Sequence, residues 1–237
     1  MLPGQGESGI WEEVDCQRGS PVTPSSFSFI MLSSRILTHR MLRPGSLSCI
    51  VRNFTTAAAA TALAAAEGSG GGRLAQLPTL FGTGNVYAMS PEATKIFSPE
   101  DFLVVNDFIT QGEHDQLVEE VTTRLKKMKY EPTHIDSVIT GYRELALQSW
   151  TTPGNQAVVQ RVLDLFIGEN LKFLPVHALD LKEDGSIGSH VDNIEYSGGL
   201  IAGLSLLSEA VMRLQHEKNP DAKLEVVIKP RSLYIQR

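Results

Sequence analysis

The chain has 237 residues, which is enough for one sizeable domain with an appendage or for two small domains. Its hydrophobic fraction of 42% and charged fraction of 20% are typical of a globular protein, and no apolar run reaches the length that crosses a bilayer. The net charge of −6 argues against a general nucleic-acid binder, and two cysteines, Cys16 and Cys49, are too few to predict a disulfide framework or a thiolate metal site.

The N-terminal region has the composition of a targeting segment. Residues 16–66 contain no Asp or Glu but five arginines and many Ser, Thr and Ala residues, which is the pattern of a mitochondrial transit peptide. Acidic residues before Met31 interrupt this pattern. We therefore predict a disordered leader over residues 1–66, with Met31 as the working start of the transit peptide and residues 1–30 as an upstream extension. The alternative is a plain disordered arm.

Residues 67–96 contain a Gly/Ser-rich stretch and two prolines and are predicted to be a flexible linker. The folded body is predicted to start at residue 97. A short strand at 102–108 precedes a helix to about Lys127, for which Thr110 and Glu113 form a capping-box pattern. Residues 134–144 predict a strand or hairpin with a turn near Gly141, and a second apolar-faced helix follows over residues 155–167.

The pattern then changes to short strands. Residues 174–181 alternate and precede a predicted turn at Asp184 and Gly185, and further strands are predicted at 200–207, 211–215, 224–228 and 232–235. Helices followed by a series of antiparallel strands predict an α+β protein, a β-sandwich or jelly roll with supporting helices.

His190 and Asp192 are the candidate metal ligands. They lie two residues apart after a strand, and alternate residues of a strand face the same side, so an imidazole and a carboxylate can reach one point. These are two of the three ligands in the two-His-one-carboxylate triad that binds Fe(II). A surface His and Asp with no shared role is the usual alternative for an isolated His-x-Asp.

The residues around this pair resemble the AlkB family of Fe(II)/2-oxoglutarate-dependent dioxygenases, most closely its mitochondrial branch. The matching segments are VHALDLKEDGSIGSHVDNI, IAGLSLLSEAVMRLQHE and KPRSLYIQR, and a looser similarity extends over residues 97–237. The resemblance implies a double-stranded β-helix, His190 and Asp192 as iron ligands, and Tyr234 as a 2-oxoglutarate contact. A surface-facing strand tyrosine is the alternative interpretation of Tyr234.

The family also has a second iron-binding His and a distal Arg after the S-L-Y strand. The guanidinium group of Arg forms bidentate hydrogen bonds with a carboxylate, which explains why the family has an Arg at the distal position. Neither residue is present up to Arg237, and His177, His216, Arg231 and Arg237 are not expected to replace them. The resemblance therefore implies an incomplete dioxygenase domain at 97–237 that lacks its last strands, with unpaired neighbouring edges, weak iron binding and no activity.

The resemblance implies an oxidoreductase of the mitochondrial matrix that uses Fe(II), 2-oxoglutarate and O₂. Residues 101–237 carry 14 Lys and Arg against 20 Asp and Glu, which favours a protein or metabolite substrate over nucleic acid. The resemblance also implies a link to fatty-acid metabolism and programmed necrosis. The alternatives are a non-catalytic mitochondrial binding protein and a nucleic-acid demethylase.

Overall fold

A computed structural model describes residues 11–18, 27–36, 73–134, 137–167, 169, 171–191 and 199–237. Its strands are β1 Trp11–Arg18, β2 Phe27–Ile36, β3 Val86–Met89, β4 Phe102–Val105, β5 Glu131–Thr133, β6 Ile139–Leu147, β7 Leu171–Phe173, β8 Val176–His190, β9 Ile201–Leu206, β10 Ala210–His216, β11 Asn219–Ile228 and β12 Leu233–Gln236. The helices are α1 Ala93–Ile96, α2 Gln111–Leu125 and α3 Pro153–Asp164, with short 3₁₀ turns at Arg73–Gln76 and Leu80–Gly82.

The strands pair antiparallel throughout the described residues. The main order is β3-β11-β10-β1-β8-β2-β9-β12-β4, while β6 pairs with β8 and β5, and β7 pairs with β2. A mostly antiparallel sheet with few helices agrees with the predicted α+β class and is compatible with a β-sandwich. The jelly-roll connectivity itself stays a prediction.

Two apolar clusters lie on opposite faces of the central strands. The interior cluster contains Leu80, Ala93, Phe97, Phe102, Val104, Tyr142, Leu179, Leu181, Ile187, Ile201, Ala210, Met212, Leu214, Ala222, Leu224, Val226, Ile228 and Tyr234. The helix-side cluster joins α2 and α3 to the other face of β4, β8, β9 and β12. Strand β12 shows the division, because Leu233 and Ile235 belong to the helix-side cluster and Tyr234 to the interior cluster, as the two-residue period of a strand requires.

Helix α2 begins as its sequence predicts. The Thr110 hydroxyl accepts a hydrogen bond from the Glu113 backbone N–H at 3.2 Å, and the Glu113 carboxylate accepts one from the Thr110 backbone N–H at 2.8 Å. The capping box is therefore confirmed, and it satisfies two N–H groups that have no partner inside the helix. Leu117, Val121 and Leu125 are the buried face of this helix.

The turns predicted at Gly141 and at Asp184-Gly185 are irregularities within continuous strands, so both turn predictions are wrong. Between the pairs Thr140–Ser186 and Tyr142–Leu181, one residue of β6 lies opposite four residues of β8, which produces a bulge. Gly141 has φ +58°, and a Cβ on Gly185 would lie 2.7 Å from the Gly141 carbonyl oxygen. The two glycines allow the strands to approach here, and turn-forming residues alone do not distinguish this from a reversal of the chain.

The domain boundary at residue 97 is placed too late. Within the predicted linker, residues from Arg73 onward form the two 3₁₀ turns, β3 and α1, and Leu80 and Ala93 are fully buried in the interior cluster. Short elements of three or four residues carry too little periodicity to be recognised in a sequence.

Two segments of the predicted disordered leader are strands. β1 lies between β8 and β10, and β2 lies between β8 and β9. The expectation of disorder does not hold for these two segments. The rest of the leader, with its Arg-rich part after Ile36, lies outside the described residues, and the transit peptide stays a prediction.

Open edges were expected beside the strands that the resemblance implies are missing. Among the described strands, β8, β9 and β10 are each paired on both sides, and the sheet order ends at β3 and β4. The expectation of unpaired edges is wrong for these three strands, because β1 pairs with β8 and β10 and β2 pairs with β8 and β9. In the described part of the chain, no helix is long and apolar enough to cross a membrane.

Candidate functional site

His190 is the last residue of β8. Its strand is held on one side by β6 and on the other by β1, where Glu13 is paired in register with His190. The His190 Nδ1 atom lies 2.9 Å from the Gly188 carbonyl oxygen. A carbonyl can only accept a hydrogen bond, so Nδ1 carries the proton in the neutral ring and the lone pair belongs to Nε2. This arrangement is the usual one for a metal-binding histidine, in which the other ring nitrogen donates to a fixed acceptor.

Asp192, the second predicted ligand, lies outside the described residues. Within the described residues, no group of three or more His, Cys, Asp and Glu side chains is close enough to hold a metal ion. The donor chemistry of His190 fits Fe(II), which accepts imidazole nitrogen readily. Of the two predicted ligands, only His190 lies within the described residues.

Tyr234 lies at the centre of β12, paired with Val104 of β4 and Gly203 of β9. Its side chain is 3% exposed and belongs to the interior cluster, and its ring is stacked parallel to Phe102 with 5.8 Å between centroids. The alternative of a surface-facing tyrosine is therefore wrong. Ile187, three residues before His190, belongs to the same cluster, so Tyr234 and the strand that carries His190 contribute to one interior.

Gly203 makes this position of Tyr234 possible. A Cβ atom on Gly203 would lie 2.2 Å from two carbons of the Tyr234 ring and 2.4 Å from its hydroxyl oxygen, which no side chain could tolerate. The tyrosine ring therefore lies across the backbone of β9. The sequence analysis did not identify Gly203, although a lone glycine inside an otherwise apolar strand is a recognised sign of such a close approach.

His177 on β8 forms an ion pair with Glu144 on β6 through its Nδ1 atom. The hydrogen bond and the charge of Glu144 raise the pKa of His177 against the opposing effect of burial. The hydrogen bond from His177 is the main cause that lowers the pKa of Glu144. The prediction that His177 is a partnered strand histidine is confirmed.

The other residues considered as substitutes have partners of their own. His216 accepts a hydrogen bond from the Lys218 backbone N–H at 3.2 Å. Arg231 forms an ion pair with Asp107 at 2.7 Å, and the Arg237 guanidinium lies 3.8 Å from a carboxylate oxygen of Glu169. All three side chains therefore make contacts near the ends of strands.

Comparison with known proteins tests the family resemblance. No protein-family model matches the chain. The mouse protein named alpha-ketoglutarate-dependent dioxygenase alkB homolog 7, mitochondrial, is 40% identical over 139 residues, which are 58% of this chain and 62% of the mouse protein. The resemblance to AlkB-like dioxygenases is confirmed. The bovine protein of the same name is 40% identical over 131 residues, or 55% of this chain and 59% of its own length.

The chain thus spans less than two thirds of the length of these AlkB-like relatives. Both relatives are named as mitochondrial proteins, in agreement with the targeting pattern of residues 16–66. The name alpha-ketoglutarate-dependent dioxygenase gives the cosubstrate of the relatives, and iron follows from the AlkB family. The names state no substrate.

Proposed function

We propose that this chain is a mitochondrial dioxygenase of the AlkB kind by descent, which binds Fe(II) and 2-oxoglutarate but does not turn 2-oxoglutarate over. The observation that carries the proposal is the 40% identity to the mouse and bovine dioxygenases over more than half of the chain. The matrix is the proposed compartment, because an Arg-rich, acid-poor leader directs import.

His190 and Asp192 are the proposed iron ligands. The Nδ1 contact of His190 with the Gly188 carbonyl supports this role, because a metal-binding histidine usually donates from its other ring nitrogen to a fixed acceptor. When bound, Fe(II) would supply the redox chemistry that oxidises a substrate while 2-oxoglutarate and O₂ are converted to succinate and CO₂. The fixed ring orientation at His190 reduces the reorganisation that metal binding requires.

Tyr234 is the proposed contact for a carboxylate of 2-oxoglutarate. A phenol hydroxyl donates to a carboxylate, and such a bond to an ionised acceptor is stronger where water is excluded. Burial inside the interior cluster and the stacking on Phe102 support this role, because both restrict the ring to one orientation. Gly203 is proposed to position Tyr234 by leaving space for its ring.

The proposed substrate is a protein or a metabolite. Support comes from the acidic balance of residues 101–237, since binding to nucleic acid rests mainly on lysine and arginine contacts with phosphates. Salt-dependent binding to oligonucleotides would instead favour the demethylase alternative. The links to fatty-acid metabolism and programmed necrosis are implications of the AlkB-like resemblance.

The test is a calorimetric titration of 2-oxoglutarate into the full chain loaded with Co(II), a spectroscopic substitute for Fe(II). We expect saturable binding by the unmodified chain and at least about tenfold weaker binding by Tyr234→Phe, corresponding to about 1.4 kcal/mol for the lost hydrogen bond to a charged group. Tyr87→Phe is the control, because Tyr87 is 71% exposed. Equal affinities of all three proteins would refute the role of Tyr234.

Turnover is a separate measurement. The expectation that the chain does not convert 2-oxoglutarate to succinate with added Fe(II) stays a prediction, and succinate production would refute it. A stable stoichiometric partner from mitochondria, together with no binding of metal or 2-oxoglutarate, would favour the non-catalytic binding protein.

A further inference from the structure

The strands β1 and β2 lie inside the sheet, although they come from the N-terminal segment. β1 pairs with β10 from Trp11 to Arg18 and with the end of β8 from Glu13 to Cys16. β2 pairs with β8 from Phe27 to Met31 and with β9 from Ser28 to Ser33. Each strand therefore has hydrogen-bonding neighbours on both of its edges.

The strands on either side of β2 are among the most buried of the fold. All six residues of β9 are buried, and so are Ala178 to Leu181 of β8. A buried strand cannot direct unpaired N–H and C=O groups to water without opening the surrounding core, and each unpaired group costs free energy. The edges of β8 and β9 that flank β2 consequently need partners.

The register specifies what can occupy these positions. Ile30 pairs with Ala178 on one side and Leu204 on the other, and Met212 is opposite Cys16. A shift by one residue would exchange the two faces of the inserted strand. The two positions therefore fit extended antiparallel segments with a defined alternation.

We propose that β1 and β2 are an internal strand donor that completes the sheet by β-augmentation. The occupant of both positions is this chain's own N-terminal segment, and it is held by backbone pairing with β8, β9 and β10 independently of its covalent connection. Removal of β1 and β2 would open one strand position between β8 and β10 and another between β8 and β9. This inference concerns the sheet and does not depend on the proposed dioxygenase function.

The proposal is tested in the full chain by replacing residues 68–72 with the recognition sequence of a specific protease. After cleavage under native conditions, we expect the N-terminal fragment and the C-terminal body to elute together in equal amounts from a gel-filtration column and to separate only in denaturant. Release of the fragment under native conditions would overturn the proposal, whatever then happens to the body.

A matched pair of proline variants tests the register. Proline at Ile30 removes a ladder hydrogen bond in the middle of β2, whereas Ser20→Pro lies between the two strands. We expect faster hydrogen exchange in residues 201–206 and release of the cleaved fragment for Ile30→Pro, with no change for Ser20→Pro. Unchanged exchange in both variants would contradict the placement of β2. Should Ile30→Pro fail to fold, co-elution of the cleaved parent chain still decides the matter.

Discussion

Glu120 is a buried carboxylate that connects α2 to the start of α3. It accepts hydrogen bonds from the Thr151 and Thr152 backbone N–H groups at 2.7 and 3.1 Å and from the Asn155 amide at 2.8 Å. Burial favours the neutral acid, but these hydrogen bonds outweigh it and lower the pKa of Glu120 to about 2. The ionised form is thus part of the folded state.

Removal of this carboxylate should destabilise the fold. We expect Glu120→Ala to lower the free energy of unfolding by about 2–3 kcal/mol, since buried donors lose a charged acceptor. Because the pKa is about 2 in the folded state and 4.5 in the reference state, the contribution of Glu120 is present above pH 4.5 and is lost as the pH falls towards 2. Urea unfolding at several pH values measures both effects. Glu119→Ala, at the exposed neighbouring position, is the control, and an equal loss in the two variants would contradict this assignment.

The pair of His177 and Glu144 predicts a different pH dependence. The pKa of His177 is raised from 6.5 by Glu144, so its contribution to stability is complete below pH 6.5 and decreases as the pH rises through the higher folded-state pKa. The pKa of Glu144 is lowered from 4.5, so its contribution is lost as the pH falls below that value. We expect His177→Gln to remove the alkaline decrease. An NMR titration with a His177 pKa at or below 6.5 would refute the interaction.

His190 and Tyr234 could be proposed from the sequence because a His-x-Asp motif and the family resemblance point to them. Sequence reasoning could not identify the partners of Glu120 or Glu144, because these contacts join residues more than thirty positions apart. Such pairs depend on how the helices pack and on the register of β6 against β8, which no local pattern specifies.

At the scale of elements, the contact between β9 and β12 leaves no space for an added Cβ atom at Gly203. Gly203→Ala would force the Tyr234 ring from its place against Phe102. We expect a loss of about 1–3 kcal/mol in the free energy of unfolding, as for other overpacked cores. Gly199→Ala is the matched control, because nothing lies within 4 Å of its added Cβ.

A double-mutant cycle tests the cause of this loss. If the collision with the ring is responsible, Gly203→Ala should cost less in a Tyr234→Leu background than in the parent chain. Equal costs in both backgrounds would show that the two residues do not interact.

Most elements of the body follow from periodicity and end signals, as α2 shows with its capping box and its buried Leu117 and Val121. The strands β9 to β12 lie within a few residues of their predicted bounds. The exceptions have physical reasons. The Gly141 and Gly185 positions contain turn residues that serve a bulge, and β1 and β2 come from a Ser-rich segment whose pairing partners lie far along the chain.

At the scale of the whole molecule, the antiparallel sheet separates an interior that contains Tyr234 from a helix-covered face. The β8 strand extends along this sheet and carries Ile187 into the interior before it ends at His190. The proposed dioxygenase site would use both positions, with His190 as a metal ligand at the strand end and Tyr234 as a carboxylate contact in the interior cluster.

The visible absorption of the Co(II)-loaded full chain tests this account most directly. We predict metal bands that change when 2-oxoglutarate is added, that are lost in His190→Ala, and that persist in His216→Ala, whose imidazole bonds to the Lys218 backbone. Bands and a 2-oxoglutarate response in His190→Ala equal to those of the unmodified chain would contradict the account, and so would the absence of any metal-dependent response in the unmodified chain.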